Sequence, residues 1–191
     1  MLNIEEVKQA LTSSVRPEVQ NDFQNKLAAV MVIICGIEPT IIMTERPKTM
    51  NHHAGEISFP GGTWKKADGD LLDTAIRETE EELGIKTNRS EIIGQLKPVT
   101  TLNSGFKITP FVSIMNQIPS IVTNSEIASV LKIPLFALLD SIEDDKDPSH
   151  KSIQEMYTFK FQNHIIWGAS ARMLKQIVTK ISPNRSSLRF I

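Results

Sequence analysis

The stretch Arg77-Glu78-Thr79-Glu80-Glu81-Glu82-Leu83-Gly84 constrains this chain more than any other. In a helix, Glu78, Glu81 and Glu82 stand at i, i+3 and i+4, which puts their carboxylates on one face. Like charges at that spacing cost roughly 0.2–0.5 kcal/mol per pair. The same residues fall in the last turns before Gly84, where the helix macrodipole disfavours negative charge. Two accounts are open: a solvated acidic face, or a functional site at which a divalent cation offsets the repulsion. The remainder of the segment argues for a docked helix. Leu72, Ala75, Ile76, Thr79 and Leu83 recur at helical spacing and form an apolar stripe. Asp70 is placed to cap the N-terminus, Asp73 lies at N3, and Gly84 stops the helix, so the pattern predicts a helix over residues 71–83. A docked helix with a tight acid cluster, entered through Phe59-Pro60-Gly61-Gly62, has few purely structural explanations.

Residues 61–85 resemble the Nudix box, G-x5-E-x7-R-E-U-x-E-E-x-G-U, where U is a bulky aliphatic residue. Arg77, Glu78, Glu81, Glu82, Gly84 and Ile85 match the pattern residue for residue. The chain departs from it in three ways: one extra residue between Gly62 and Arg77, Asp68 where glutamate is expected, and Thr79 in place of the aliphatic. The extra residue is similar to the coenzyme A pyrophosphatase branch, which also has an upstream signature, L-L-T-x-R-x-x-x-L-x-x-H-x-G-x-x-x-F-P-G-G. Here Thr44, Arg46, His53, Gly55 and Phe59-Pro60-Gly61-Gly62 match it, with Met50 for the leucine. Gly94-Gln95-Leu96, Thr109-Pro110, Glu126-Ile127 and Trp167-Gly168 are similar to the same branch, so the resemblance covers residues 28–180.

The resemblance implies a Nudix α/β/α sandwich with a mixed β-sheet. It also implies divalent-metal-dependent hydrolysis of the pyrophosphate bond of coenzyme A or its derivatives, giving 3′,5′-ADP and 4′-phosphopantetheine or its acyl form. The alternatives are a Nudix pyrophosphatase for another nucleoside diphosphate derivative, such as an ADP-sugar or NADH, and a binding module without turnover. The retained Glu78, Glu81 and Glu82 argue against the last. By resemblance Glu78 and Glu82 are the principal ligands of Mg²⁺ or Mn²⁺, and Glu81 is a further ligand or the general base. Arg77 would pair with a neighbouring glutamate and orient it, or form a plain i,i+4 ion pair with Glu81. Glu126 completes the site or is an exposed loop residue, and Glu56 stands as a second such carboxylate. Arg46, His53, Gly61, Gly62 and Lys65 are the expected substrate contacts, with Lys48 and Lys66 as further cations for phosphate. Trp64 and Phe106 either stack on the substrate or pack in the core. The residue types suit the chemistry, since magnesium takes one or two carboxylates, keeps several waters and accepts phosphate oxygens as its other ligands.

Bulk properties agree with a single enzyme domain. A chain of 191 residues can bury a core without staples. A net charge of −1 gives no general pull toward nucleic acid or anionic lipid. The one cysteine, Cys35, lies in the apolar run of residues 28–37 and reads as core. No run approaches the roughly 18 apolar residues a membrane span needs, no signal peptide is recognisable, and a cytoplasmic location is expected. The expected divisions are an N-terminal helical arm over residues 1–26, a Nudix domain over 27–182 and a tail over 183–191. Strands are predicted over residues 28–37, 39–44, 56–59, 91–101 and 106–115, and a hairpin around Gln162-Asn163. Residues 127–133 read as strand or short helix, 134–139 as helix, 141–151 as a charged loop and 169–180 as a closing helix.

Overall fold

The computed structural model describes residues 2–19, 26–49, 54–102, 104–146 and 156–182. In chain order the elements are helix α1 (Ile4–Leu11), β1 (Lys26–Cys35), β2 (Thr40–Glu45), β3 (Ile57–Ser58), β4 (Gly61–Thr63) and helix α2 (Leu71–Leu83). After a short 3₁₀ turn (Arg89–Glu91) come β5 (Ile92–Gln95), β6 (Val99–Thr100), β7 (Phe106–Met115), β8 (Ser129–Pro134) and helix α3 (Leu135–Asp140). β9 (Glu143–Asp144), β10 (Tyr157–Phe161), β11 (His164–Ile166) and helix α4 (Gly168–Ile181) complete the chain.

The apolar run that begins at Ala28 becomes the central strand, because a strand covered on both faces needs no polar side. Val30, Val32 and Ile34 of β1 point into one core, with Val7 and Leu11 of α1, Leu138 of α3 and Leu174 of α4. Ala29, Met31, Ile33 and Cys35 point into the other, with Leu72, Ala75 and Leu83 of α2. Helices therefore cover both faces of one sheet, the expected α/β/α sandwich. The principal sheet has eight strands ordered β3-β2-β1-β7-β5, with β4 on β1, β6 on β7 and β8 on β2. β1 and β7 run parallel over ten residue pairs, from Lys26 with Phe106 to Cys35 with Met115, and their other neighbours are antiparallel, so the sheet is mixed. A smaller sheet, β11-β10-β9, packs its β10 on α4. Among the described residues no helix is long and apolar enough to cross a membrane.

Three sequence expectations change. The single strand predicted over residues 91–101 is two, β5 and β6, because Lys97-Pro98 interrupts the pairing with β7. Residues 127–133, open between strand and helix, are strand from Ser129 on: β8 pairs with β2 from Ser129 opposite Glu45 to Pro134 opposite Thr40, one residue into the segment expected as helix. The charged loop predicted over residues 141–151 contains β9, paired with β10; its residues 147–151 lie outside the described residues, as does the tail over 183–191. The arm is no loose extension where it is described: Val7 and Leu11 are fully buried.

Candidate active site

The acidic helix forms as its sequence dictates. Asp70 Oδ1 accepts the N–H groups of Leu72 and Asp73, both at 2.9 Å, and Gly84 ends the helix in the left-handed conformation at φ 66°. Arg89 pairs with both Asp70 and Asp73 and ties that first turn to the chain beyond the helix. Leu72, Ala75, Thr79 and Leu83 are buried as expected, whereas Ile76 is only half-buried. Thr79 is tolerated at an aliphatic position because its hydroxyl donates to the Ala75 carbonyl at 2.7 Å, leaving its methyl to pack.

The turn before the helix brings backbone against the acids. Gly61 has φ 152°, and a Cβ there would lie 2.3 Å from the Ala29 carbonyl oxygen, so only glycine lets β4 close on β1. At Gly62 a Cβ would lie 2.6 Å from the Glu78 carboxylate, so the missing side chain is the space Glu78 occupies. Glu82 is 3% exposed and accepts the Gly61 N–H at 3.1 Å. Burial pushes its carboxyl up to about 7; the Gly61 N–H and the Arg46 charge oppose this, and Glu78 and Glu126 reinforce it.

Arg77 organises the exposed side of the cluster. Its Nη1 donates to Glu78 at 2.6 Å and to Glu81 at 3.2 Å, so the expected glutamate pairing and the i,i+4 pair are both present. Its firmest hold is on Asp68, through Nε at 2.8 Å and Nη2 at 2.9 Å. Asp68 also accepts from the Thr74 hydroxyl at 2.9 Å and the Lys65 N–H at 3.0 Å. The Arg77 hydrogen bonds hold the Asp68 carboxyl well below the usual carboxylate range. The sequence marks Asp68 as the acid that stands where the box has glutamate and gives it no task; its bond to Arg77, nine positions on, becomes visible only in the folded loop before α2.

The remaining candidates divide. The charge of Arg46 is felt at Glu82, and Arg46 stands on a loop whose ends are joined by Arg46 N–H to Glu56 carbonyl at 3.1 Å and Gly55 N–H to Arg46 carbonyl at 3.2 Å. Lys65 places Nζ 4.0 Å from Glu78. Glu126 is exposed, its N–H bonded to Asn124 Oδ1, yet its charge reaches Glu82. His53 and Met50 lie outside the described residues. Trp64 is half-buried against the core under α2, while Phe106 carries the Lys26 ammonium 5.7 Å from its ring centroid.

Among the described residues no three His, Cys, Asp or Glu side chains are gathered as a ready-made metal cage. Arg77 draws Glu78 and Glu81 toward itself. The donor set nevertheless fits a hard cation: Glu82 is a buried carboxylate pushed up to about 7, and two further carboxylates add to its repulsion. An ion of the magnesium type needs one or two protein carboxylates and leaves its other positions to water and phosphate, so a full cage is not required.

The architecture is that of the MutT/nudix proteins. The MutT/nudix family protein of Enterococcus faecalis aligns with a TM-score of 0.57 over 85% of this chain and 63% of its own, at 14% identity. A NUDIX hydrolase of Alicyclobacillus acidocaldarius aligns with a TM-score of 0.52 over 84% of this chain and 93% of its own, at 17% identity. The sequence profile of the NUDIX domain matches residues 25–117. The uncharacterized Nudix hydrolase NudL of Photorhabdus laumondii subsp. laumondii is 32% identical over 168 residues, 86% of this chain and 89% of that protein. The protein of the same description from Yersinia pestis (strain Pestoides F) is 34% identical over 162 residues, 83% and 81% respectively. The chain belongs to the Nudix hydrolase family. It is accordingly a pyrophosphohydrolase for small nucleoside diphosphate derivatives, in a family that generally uses divalent metal ions.

Proposed function

We propose that this Nudix hydrolase cleaves the pyrophosphate bond of coenzyme A or its derivatives, releasing 3′,5′-ADP and 4′-phosphopantetheine or its acyl form. The observation that supports this reading best is the place of Arg46. It belongs to the upstream segment that is similar to the coenzyme A pyrophosphatase branch, and its charge acts on Glu82, the buried acid of the box helix. β2, which leads into Arg46, pairs with β3, which leads into the Gly61-Gly62 turn, and this pairing supports a shared site for upstream signature and box.

In this reading Glu78 and Glu82 hold Mg²⁺ or Mn²⁺, with Glu81 as a further ligand or the base that takes a proton from water. Bound there, the cation would neutralise phosphate oxygens and acidify water. Arg77, anchored on Asp68, keeps Glu78 turned toward Gly62. Glu126 completes the acidic ring from the loop before β8. Arg46, His53 and Lys65 meet the phosphates, where a charge-assisted contact is worth about 1.5–3 kcal/mol, and Gly61 and Gly62 are the backbone contacts beside Glu78. A product-resolved panel of coenzyme A, acetyl-coenzyme A, NADH, ADP-ribose and dGTP, run with Mg²⁺ and with Mn²⁺, tests the assignment. The expected result is 3′,5′-ADP from the coenzyme A substrates at the highest kcat/KM; faster turnover of NADH or ADP-ribose would assign the enzyme to another diphosphate.

A further inference from the structure

The described part of the N-terminal arm links the two helical layers around one edge of the sheet. α1 packs on α4, with Val7 and Leu11 in the core on that side. Val15 and Val19 pack into the opposite core, the one under α2. Between them the arm crosses the edge strand β5. The Ser13 N–H donates to the Ile93 carbonyl at 3.1 Å, where a register shift interrupts the pairing of β5 with β7. The Ser13 hydroxyl donates to the Gln95 carbonyl at 3.1 Å and accepts the Gln95 N–H at 3.0 Å. The Arg16 N–H donates to Gln95 Oε1 at 2.7 Å. Gly94 provides the clearance, since a Cβ there would lie 2.3 Å from the Leu11 carbonyl oxygen and 2.9 Å from Ser13 Oγ.

The arm then reaches the box helix itself. A helix start leaves its first N–H groups without acceptors inside the helix. Asp70 Oδ1 takes those of Leu72 and Asp73, and the Asp70 carbonyl takes that of Thr74 at 3.3 Å. The Leu71 N–H donates instead to the Pro17 carbonyl at 3.0 Å, so the arm supplies the acceptor that the helix cap does not. Glu78 lies seven residues on, about 10 Å along the helix axis. A rigid helix carries a displacement at its first turn to that carboxylate, and a shift of about 1 Å in a reacting group can cost roughly 10²-fold in rate.

We infer that residues 13–17 are a strap that positions α2, with Gln95 as the positioning residue that fastens it, so that the arm sets where the acids of the box helix stand. The inference rests on the proposed metal site. It is distinct from mere stabilisation, because α1 already anchors the arm in the core, whereas Pro17 meets the helix start and Gln95 fastens Arg16, the residue before it.

The test uses the full chain at a temperature where every variant is folded, and reads three quantities: Mn²⁺ affinity by electron paramagnetic resonance, kcat and KM separately, and amide hydrogen exchange at Leu71, Leu72 and Asp73. Gln95→Ala removes the acceptor of the Arg16 N–H. It should weaken Mn²⁺ binding and lower kcat by roughly 10-fold each, leave KM little changed and speed exchange at the three amides. Gln95→Glu, which keeps an acceptor oxygen, should restore all three readouts. Gly94→Ala should act in the same direction and further; if it does not fold, the Gln95 pair decides. A lower melting temperature with wild-type Mn²⁺ affinity and kcat in Gln95→Ala would overturn the strap. If the wild-type protein itself binds no Mn²⁺, the metal-site reading fails separately, and unchanged exchange at Leu71, Leu72 and Asp73 in Gln95→Ala then overturns the strap.

Discussion

Glu82 is buried where a carboxylate is costly, and its cost depends on pH in a definite direction. Its carboxyl rises from an ordinary 4.5 to about 7 on folding, chiefly through burial. A raised acid holds its proton more tightly when folded, so the metal-free protein is most stable, as far as this group is concerned, below 4.5. That stability is lost as the pH rises through 7, by an amount on the order of 3 kcal/mol. Glu82→Gln removes the cost. In the presence of a chelator at pH 8 the variant should melt several degrees above wild type, while its metal-supported kcat falls by roughly 10²-fold or more. Calorimetry at pH 5 and pH 8 checks the first half; a variant that melts below wild type at pH 8 contradicts it. Asp68 works with the opposite sign. Held low by Arg77, it contributes stability above its ordinary 3.8 that is lost as the pH falls. Asp68→Asn should lower kcat by roughly 10- to 100-fold with the protein still folded. Asp68→Glu, which restores the residue of the box pattern, should keep most of the activity, and equal losses in both variants would deny Asp68 its bracing role.

The box helix was legible almost entirely. Its bounds, its Asp70 cap and its Gly84 stop are local features, written in residues whose capping and stopping bonds stay within the helix. The short strands were not. β9 has two residues and exists only because Thr158 and Tyr157 of β10 lie opposite it, a partner fifteen or so positions away that periodicity cannot reveal. β8 stayed open between strand and helix because six residues of mixed burial show no clear period; β2 beside it decides. In the site, helical spacing put Glu78 and Glu82 near one another, whereas the brace of Arg77 on Asp68 depends on how the loop before α2 folds back. The same loop defines a stability prediction. Asp70 caps two N–H groups and pairs with Arg89, so Asp70→Ala should cost about 1–2 kcal/mol. A chain of this size should then melt lower by roughly 2–8 °C. A thermal melt at neutral pH checks it, and an unchanged midpoint would mean that Pro17 and the remaining contacts hold the helix start without the cap.

At the scale of the molecule, the sandwich places one acidic helix on one face of the sheet and leaves the cations to the loops around it. Arg46 enters from the end of β2 and Lys65 from the turn after β4. That division suits a substrate with a metal-binding diphosphate at its centre and a further phosphate at one end. Coenzyme A has such a 3′-phosphate and dephospho-coenzyme A lacks it. The most direct measurement is therefore kcat/KM for these two substrates with saturating Mg²⁺, on wild type and on Arg46→Ala. A charge-assisted phosphate contact predicts a preference for coenzyme A of roughly 10- to 100-fold in the wild type, reduced in the variant. Equal rates on the two substrates, with an ADP-sugar hydrolysed faster than either, would contradict the coenzyme A assignment.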